Sequence, residues 1–285
     1  MPTVLSIQSW VASGVVGNGA ALFVLQRLGI ETWSLNTVAL SNHTGYGRWR
    51  GGAVPAEGIA ELFEGIAELG LLQHCDAVLS GYLGAAGAGA VLLDIVGRVK
   101  RANPRAVYCC DPVIGDVATG RYVGHGVPEF YRDQALQLAD IATPNRFELE
   151  WLTGRSIGTV ADAASAAETL RRQGPGVVLV TSLEPAAGRV AVLAAAADGI
   201  WLAETPLLPV EATGCGDALA ALFLGRRLKG EAVPQALAGT VAAIWGVVDA
   251  TARAGGGELA LIAAQDELVA PGRMVQPVRL QQVRE

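Results

Sequence analysis

The sequence predicts an α/β protein of the doubly wound type, and three observations predict it. Short apolar runs alternate with longer stretches of helical spacing along most of the chain. The run Val177, Val178, Leu179, Val180 is continuous and β-branched, as a strand covered on both faces requires. Polar residues or glycines stand directly after these runs, where open α/β sheets bind ligands. With 285 residues and 51% hydrophobic content the chain has apolar side chain enough for a large core. No composition break or internal repeat appears, so one domain spanning 1–285 is expected.

In order, residues 4–8 read as the first strand. Residues 17–28 carry Ala21, Leu22, Val24, Leu25 and Leu28 at helical spacing, with Gly29 closing the helix, and 32–35 read as a second strand. Further strands are predicted at 77–79, 106–110, 141–143 and 177–181, and helices at 56–69, 87–102, 145–153 and 160–173. The rhythm then changes. Residues 190–193 and 200–203 flank a turn at Asp198-Gly199 and read as an antiparallel hairpin at a sheet edge. Two Ala-rich helices, 217–228 and 233–252, follow.

Charge and cysteine usage narrow the function classes. Net charge is −6, with 21 Lys and Arg against 27 Asp and Glu and no basic block, so electrostatic binding of nucleic acid is not expected. Cys75, Cys109, Cys110 and Cys215 form no C-x-x-C pair, and buried thiols in a reducing cytoplasm are expected rather than a disulfide framework. The N-terminus reads as a strand and not a signal peptide. The Ala-rich stretch 85–96 is too short to cross a membrane and contains Asp94, so no membrane association is expected.

Four segments carry chemistry. In Thr213-Gly214-Cys215-Gly216-Asp217 two glycines one residue apart feed an apolar helix. Small residues let the backbone approach an anion, and first-turn N–H groups with the helix dipole favour negative charge there. Asp217 suits a group that orients and deprotonates an attacking hydroxyl during phosphoryl transfer; the plain alternative is a helix cap. In Thr143-Pro144-Asn145-Arg146-Phe147-Glu148, Asn145 and Glu148 offer oxygens for Mg²⁺, partly through water, or else form a capping box. Asp111 and Asp116, in Asp111-Pro112-Val113-Ile114-Gly115-Asp116, place two carboxylates near Mg²⁺ or a monovalent cation, or else belong to an ordinary strand-end turn. Ser9 and the segment Ser41-Asn42-His43-Thr44-Gly45-Tyr46-Gly47 supply hydrogen-bonding groups for a small polar aromatic ligand.

Together these segments resemble the ribokinase-like superfamily and, within it, the pyridoxal kinases. Asn42-His43-Thr44 followed by Tyr46-Gly47 and Trp49, and Ser80-Gly81-Tyr82-Leu83-Gly84, are similar to pyridoxal kinases rather than sugar kinases. The resemblance implies a three-layer α/β/α fold with a mostly parallel sheet and an antiparallel edge hairpin. It implies transfer of the γ-phosphoryl group of ATP to the hydroxymethyl group of pyridoxal, and also of pyridoxine and pyridoxamine, by a cytoplasmic homodimer. By position, Asp217 would be the base and Gly214, Cys215 and Gly216 the anion hole. Ser9, Thr44, Gly45 and Tyr82 would line the pyridoxal pocket. Asp111, Asp116, Thr143, Glu148, Thr181, Ser182, Thr213, Gly214 and Gly216 would contact ATP. Asn145 and Glu148 would organise Mg²⁺, and Asp111, Thr143 and Thr181 a K⁺ or Na⁺ ion. The segment 117–127 would be a flap hinged at Gly120, Gly124 and Gly126. Cys215 stands where relatives carry Thr or Val, and the connection 207–212 is shorter than theirs, which bears on nucleotide choice. Two alternatives are a hydroxymethylpyrimidine kinase of thiamine synthesis and a non-catalytic B6-binding protein.

Overall fold

The computed structural model describes residues 1–85 and 87–280. In chain order its elements are β1 (Thr3–Ser13), α1 (Asn18–Arg27), β2 (Glu31–Asn42), β3 (Gly51–Ala53), α2 (Ala56–Glu68), β4 (Ala77–Ser80), α3 (Gly87–Ala102) and β5 (Val107–Cys110). Next come β6 (Gly115–Asp116), β7 (Gly120–Arg121), α4 (Val127–Phe130), α5 (Leu136–Leu138), β8 (Ile141–Ala142), α6 (Arg146–Thr153), α7 (Val160–Arg171) and β9 (Val177–Leu183). The chain continues with β10 (Arg189–Ala196), β11 (Gly199–Pro206), β12 (Ala212–Thr213), α8 (Cys215–Leu228), α9 (Val233–Arg253), β13 (Gly257–Glu258), α10 (Gln265–Val269) and β14 (Val278–Arg279).

Ten strands form one sheet in the order β14-β11-β10-β9-β8-β5-β4-β1-β2-β3. The pairs from β2 through β1, β4, β5 and β8 to β9 are parallel, and those beyond β9 and the β2–β3 pair are antiparallel. Strand alternation divides the buried side chains between two faces. Leu5, Ile7, Val78, Tyr108, Cys110, Val178 and Val180 pack with α2, α3, α6 and α7. Val4, Ala77, Leu79, Cys109 and Leu179 pack with α1, α8 and α9. This is the predicted three-layer arrangement.

Several boundaries differ from the sequence reading: β2, expected at 32–35, runs from Glu31 to Asn42, and β10 and β11 are each longer than expected. The first strand does not stop at Gln8: β1 bulges between Gln8 and Trp10 and pairs with β2 as far as Ser13–Asn42. A bulge changes which face a side chain takes, so the pattern lost its alternation at Ser9 although the strand went on. The β10–β11 hairpin is not the sheet edge, because β14 pairs with Trp201 and Leu202 outside it. The helix predicted from 217 starts at Cys215. Residue 86 of the 85–96 stretch lies outside the described residues; 87 onward begins α3. Helix α9 has the length and apolarity to cross a membrane, but 56% of its 18-residue apolar window is buried inside the molecule, beside α8, β10 and β11.

Candidate active site

The mouth of α8 is built by what glycine permits. Gly214 is the residue before the helix and takes φ 93°, and a Cβ there would lie 2.0 Å from the Val15 carbonyl oxygen. Only glycine fits this approach between the 14–17 loop and the helix. Gly216, one turn position on, has no heavy atom within 4 Å of its would-be Cβ, so it faces open space. The N–H groups of the first turn have no intrahelical partner in any α-helix. The 14-residue length of α8 aligns enough peptide dipoles to favour an anion there.

Asp217 is the third residue of α8, and no side chain caps this helix. The plain alternative of a capping aspartate therefore fails. Its Oδ2 instead accepts the Gly17 N–H at 2.8 Å, from a loop 200 positions earlier. Burial raises its pKa to about 6, against the pull of that N–H. The Asp111 carboxyl is pushed up to about 7, first by burial and then by the Asp217 charge, while the Thr143 hydroxyl opposes the shift. Glu148 is raised well above the usual range by burial and then by Asp111. Three carboxyls thus share one poorly hydrated region, and no Lys or Arg salt bridge reaches them among the described residues.

Asn145 and Glu148 form the capping box of α6: Asn145 Oδ1 accepts the Glu148 N–H at 2.9 Å and Glu148 Oε2 accepts the Asn145 N–H at 2.8 Å. Glu148 Oε1 also accepts the Ile114 N–H at 2.9 Å, and Asn145 Nδ2 donates to the Gly115 carbonyl at 2.7 Å. The pair joins α6 to the base of the β6–β7 ribbon. No group of three or more His, Cys, Asp or Glu side chains is close enough to hold a metal ion by itself among the described residues. A magnesium ion fits this setting only with waters and phosphate oxygens completing its shell, which is the coordination Mg²⁺ prefers, and the three unneutralised carboxyls supply the negative field.

Asp111 and Thr143 lie together, with Thr143 Oγ1 donating to Asp111 Oδ1 at 2.8 Å, both residues being buried. Thr143 stands just past β8 rather than inside it. Thr181 is adjacent through its bridge with Asn145. Ser182 is the one non-glycine residue with positive φ (58°) among the described residues, at a register break between β9 and β10. A strained, bulged strand end is the kind of backbone that ligand sites retain.

The remaining candidate residues come from the first third of the chain. Gly17 packs on Ser9: a Cβ would lie 2.1 Å from the Ser9 carbonyl and 2.3 Å from its Oγ. Tyr82 is half-buried, and its segment is pinned by Tyr131 Oη donating to the Gly81 carbonyl at 2.6 Å and Thr37 Oγ1 to the Tyr82 carbonyl at 2.5 Å. Tyr131 begins a π-turn, 131–135, between α4 and α5. Thr44, Gly45 and Tyr46 make an exposed 3₁₀ turn at the end of the β1–β2 ribbon, with His43 Nδ1 accepting the Gly45 N–H. In the 117–127 segment Gly120 and Gly126 take positive φ (70° and 83°), whereas Gly124 does not. Asp116 Oδ1 accepts the Ala118 and Thr119 N–H groups at 2.9 and 2.7 Å, which shapes the ribbon's turn. Cys215 is a half-buried, unpaired thiol with its pKa raised to about 12 by burial and the Asp217 charge, which keeps its thiolate scarce at neutral pH.

Three groups escaped the sequence reading. Gly17 supplies the donor to Asp217. Tyr122, although 49% exposed, stands near the same carboxyls: partial burial of its ring and then Glu148, Asp116, Asp111 and Asp217 push its phenol above the ordinary range. Glu258 accepts the Val15 N–H at 2.9 Å and the Tyr46 hydroxyl at 3.2 Å, and it raises the Tyr46 pKa. The signal for Glu258 was the triplet Gly255, Gly256 and Gly257, all with positive φ.

A mostly parallel sheet whose strand ends converge on an anion-receptive helix mouth beside a half-buried carboxylate is the arrangement of a kinase of the ribokinase-like fold. Residues 52–261 match the profile of a family described as Phosphomethylpyrimidine kinase. Over 272 residues, 94% of each chain, the sequence is 52% identical to pyridoxal kinase PdxY of Rubrobacter xylanophilus. It is 50% identical over 275 residues to pyridoxal kinase PdxY of Granulibacter bethesdensis, covering 94% of this chain and 96% of that one. Pyridoxal kinase from Leishmania donovani, solved with ADP and pyridoxamine, superposes with TM-score 0.92 at 30% identity over 99% of this chain and 100% of that one. The chain belongs to the pyridoxal kinase family.

Proposed function

We propose that this chain, as a single kinase domain spanning 1–285, transfers the γ-phosphoryl group of ATP to the 5′-hydroxymethyl group of pyridoxal, giving pyridoxal 5′-phosphate. The observation that carries the reading is Asp217: a carboxylate in the first turn of α8, held by the Gly17 N–H, beside the backbone of Cys215 and Gly216 and the open space over Gly216. A carboxylate with a pKa of about 6 is ionised at neutral pH yet basic enough to share a proton with an alcohol as its oxygen attacks.

The steps follow from the chain's own groups. Ser9, Thr44, Gly45 and Tyr82 orient the pyridine ring so that its hydroxymethyl oxygen meets Asp217. ATP lies across Thr143, Thr181, Ser182 and Thr213, with Asp116 and Glu148 toward its phosphates. The hydroxyl oxygen attacks the γ-phosphorus, its proton passes to Asp217 Oδ, and the bond to the β–γ bridging oxygen breaks to release ADP. First-turn N–H groups of Gly214, Cys215 and Gly216 receive the charge on the transferring group. Magnesium, placed by Asn145 and Glu148 through water, would supply charge neutralisation on the phosphates. Asp111, Thr143 and Thr181 form the position for K⁺ or Na⁺. Cytoplasmic residence accords with four unpaired cysteines. The assembly we propose is a homodimer, which sedimentation at micromolar concentration tests.

A coupled assay with pyridoxal and MgATP tests the reading. Turnover is expected, and Asp217→Asn should lower kcat about 10²- to 10⁴-fold with little change in the KM values. Equal turnover in that variant overturns the assignment. A second reading, phosphorylation of hydroxymethylpyrimidine, is favoured by the description of the matched family profile. The ratio of kcat/KM for the two acceptors decides between them.

A further inference from the structure

We propose that Glu258 is a positioning residue that latches the Thr44–Tyr46 turn over the acceptor pocket and ties that turn to the loop that orients the catalytic base. The inference rests on the reading above that Thr44 and Gly45 contact the acceptor.

The turn has little else to hold it. Its own bonds are local: His43 receives the Gly45 N–H, Asn42 Nδ2 donates to the His43 and Arg48 carbonyls, and Ser41 pairs with Arg50. Tyr46 is 62% exposed, so packing does not fix it. Its hydroxyl reaches Glu258 Oε1 at 3.2 Å, across 212 positions of sequence, and among the described residues this is the side-chain bond that joins the turn to the body of the site.

The same carboxylate has a second partner. Glu258 Oε2 accepts the Val15 N–H at 2.9 Å, and a Cβ on Gly14 would lie 2.8 Å from Oε1. Val15 offers its carbonyl to the close approach of Gly214, and Gly17, two residues on, donates to Asp217. Glu258 itself is fixed in β13, whose parallel pairing sets it opposite Thr213, at the entry to the anion-receptive turn. One carboxylate therefore bridges the acceptor turn, the loop behind the base and the strand leading into α8. At 3.2 Å the phenol–carboxylate bond is long and correspondingly modest, so it biases an exposed turn without closing the pocket permanently.

Steady-state kinetics and limited trypsin cleavage test the latch on the full chain. Tyr46→Phe removes only the phenolic bond. It should raise the pyridoxal KM about three- to tenfold, leave kcat and the MgATP KM within about twofold, and speed cleavage after the exposed Arg48. Glu258→Ala should do the same and also lower kcat, because Val15 loses its acceptor. Glu258→Gln should recover most of the loss, since its amide oxygen accepts from Val15 and its NH₂ donates to the Tyr46 oxygen. Adding Tyr46→Phe to Glu258→Ala should raise the KM no further. An unchanged cleavage rate and KM in Tyr46→Phe, or multiplicative effects in the double variant, overturn the proposal. Thr44→Ala separates the two readings: an unchanged pyridoxal KM there overturns the pocket assignment, while the trypsin result alone decides the latch.

Discussion

Asp217 shows how one side chain's environment sets its chemistry. Its ordinary pKa of 3.8 rises to about 6 because burial disfavours the charge. The base works only when ionised, so kcat should fall as pH drops through about 6, and a pH–rate profile reads this limb. Burial and then the Asp217 charge hold the Asp111 carboxyl up at about 7, so of the two Asp217 gives up its proton first. Asp111→Asn should leave the limb near 6, because at that pH the Asp111 carboxyl already holds its proton. The same shift bears on stability, and its sign is fixed. A folded pKa above the unfolded one means the native state binds the extra proton. The contribution is therefore fully present below about 3.8 and is lost as pH rises to about 6. Asp217→Asn should raise the melting temperature at pH 8, by a gain worth about 2 kcal/mol, and do almost nothing at pH 4. A melting curve at each pH checks it. Gly216→Ala should leave that temperature unchanged, since nothing stands near its Cβ, yet weaken turnover by filling the space a phosphate needs.

At the scale of elements, the residues that act are placed by irregularities in otherwise regular strands and helices. β1 bulges at Ser9, β9 breaks register at Ser182, and a π-turn that starts at Tyr131 separates α4 from α5. Ser182→Gly should be neutral or slightly stabilising, because glycine takes φ 58° without strain, and Ser182→Val should cost about 1–3 kcal/mol, both read by urea denaturation. These irregularities also mark where the sequence stops being informative. Periodicity located nearly every helix and central strand, because burial on two faces demands apolar runs. It ended β1 early at Ser9, because a bulge inverts the alternation that identifies a strand. The glycine pair at 214 and 216 was legible as an anion-receptive turn. The choice between capping and catalysis for Asp217 was not, because it depends on where α8 begins and on the Gly17 N–H, and neither is a local property. For Asn145 and Glu148 the local alternative, the capping box, is what forms.

For the whole molecule, two apolar layers on one sheet bury Cys75, Cys109 and Cys110 as thoroughly as the aliphatic side chains and leave Cys215 half-buried. Burial pushes Cys75 to about 11, Cys110 and Cys215 to about 12, and Cys109 further. An aromatic disulfide reagent at pH 8 should therefore titrate four thiols in denaturant and reach Cys75, Cys109 and Cys110 of the native protein only as fast as the core opens, while the half-buried Cys215 reacts slowly because its thiolate is scarce. The halves of the cleft also come from opposite ends of the chain. Ser9, Thr44 and Tyr82 precede Asp111, Thr143, Thr181 and Asp217, and the Gly17–Asp217 bond closes across 200 positions.

That long closure has a consequence for synthesis on the ribosome. A growing chain can lay down β1, β2, β4 and β5 early, because their pairing partners are already made. It cannot orient its base until α8 has emerged, nor fasten the Tyr46 turn until Glu258 has followed. On the proposed assignment, catalytic competence thus appears only once β13 has emerged rather than by increments.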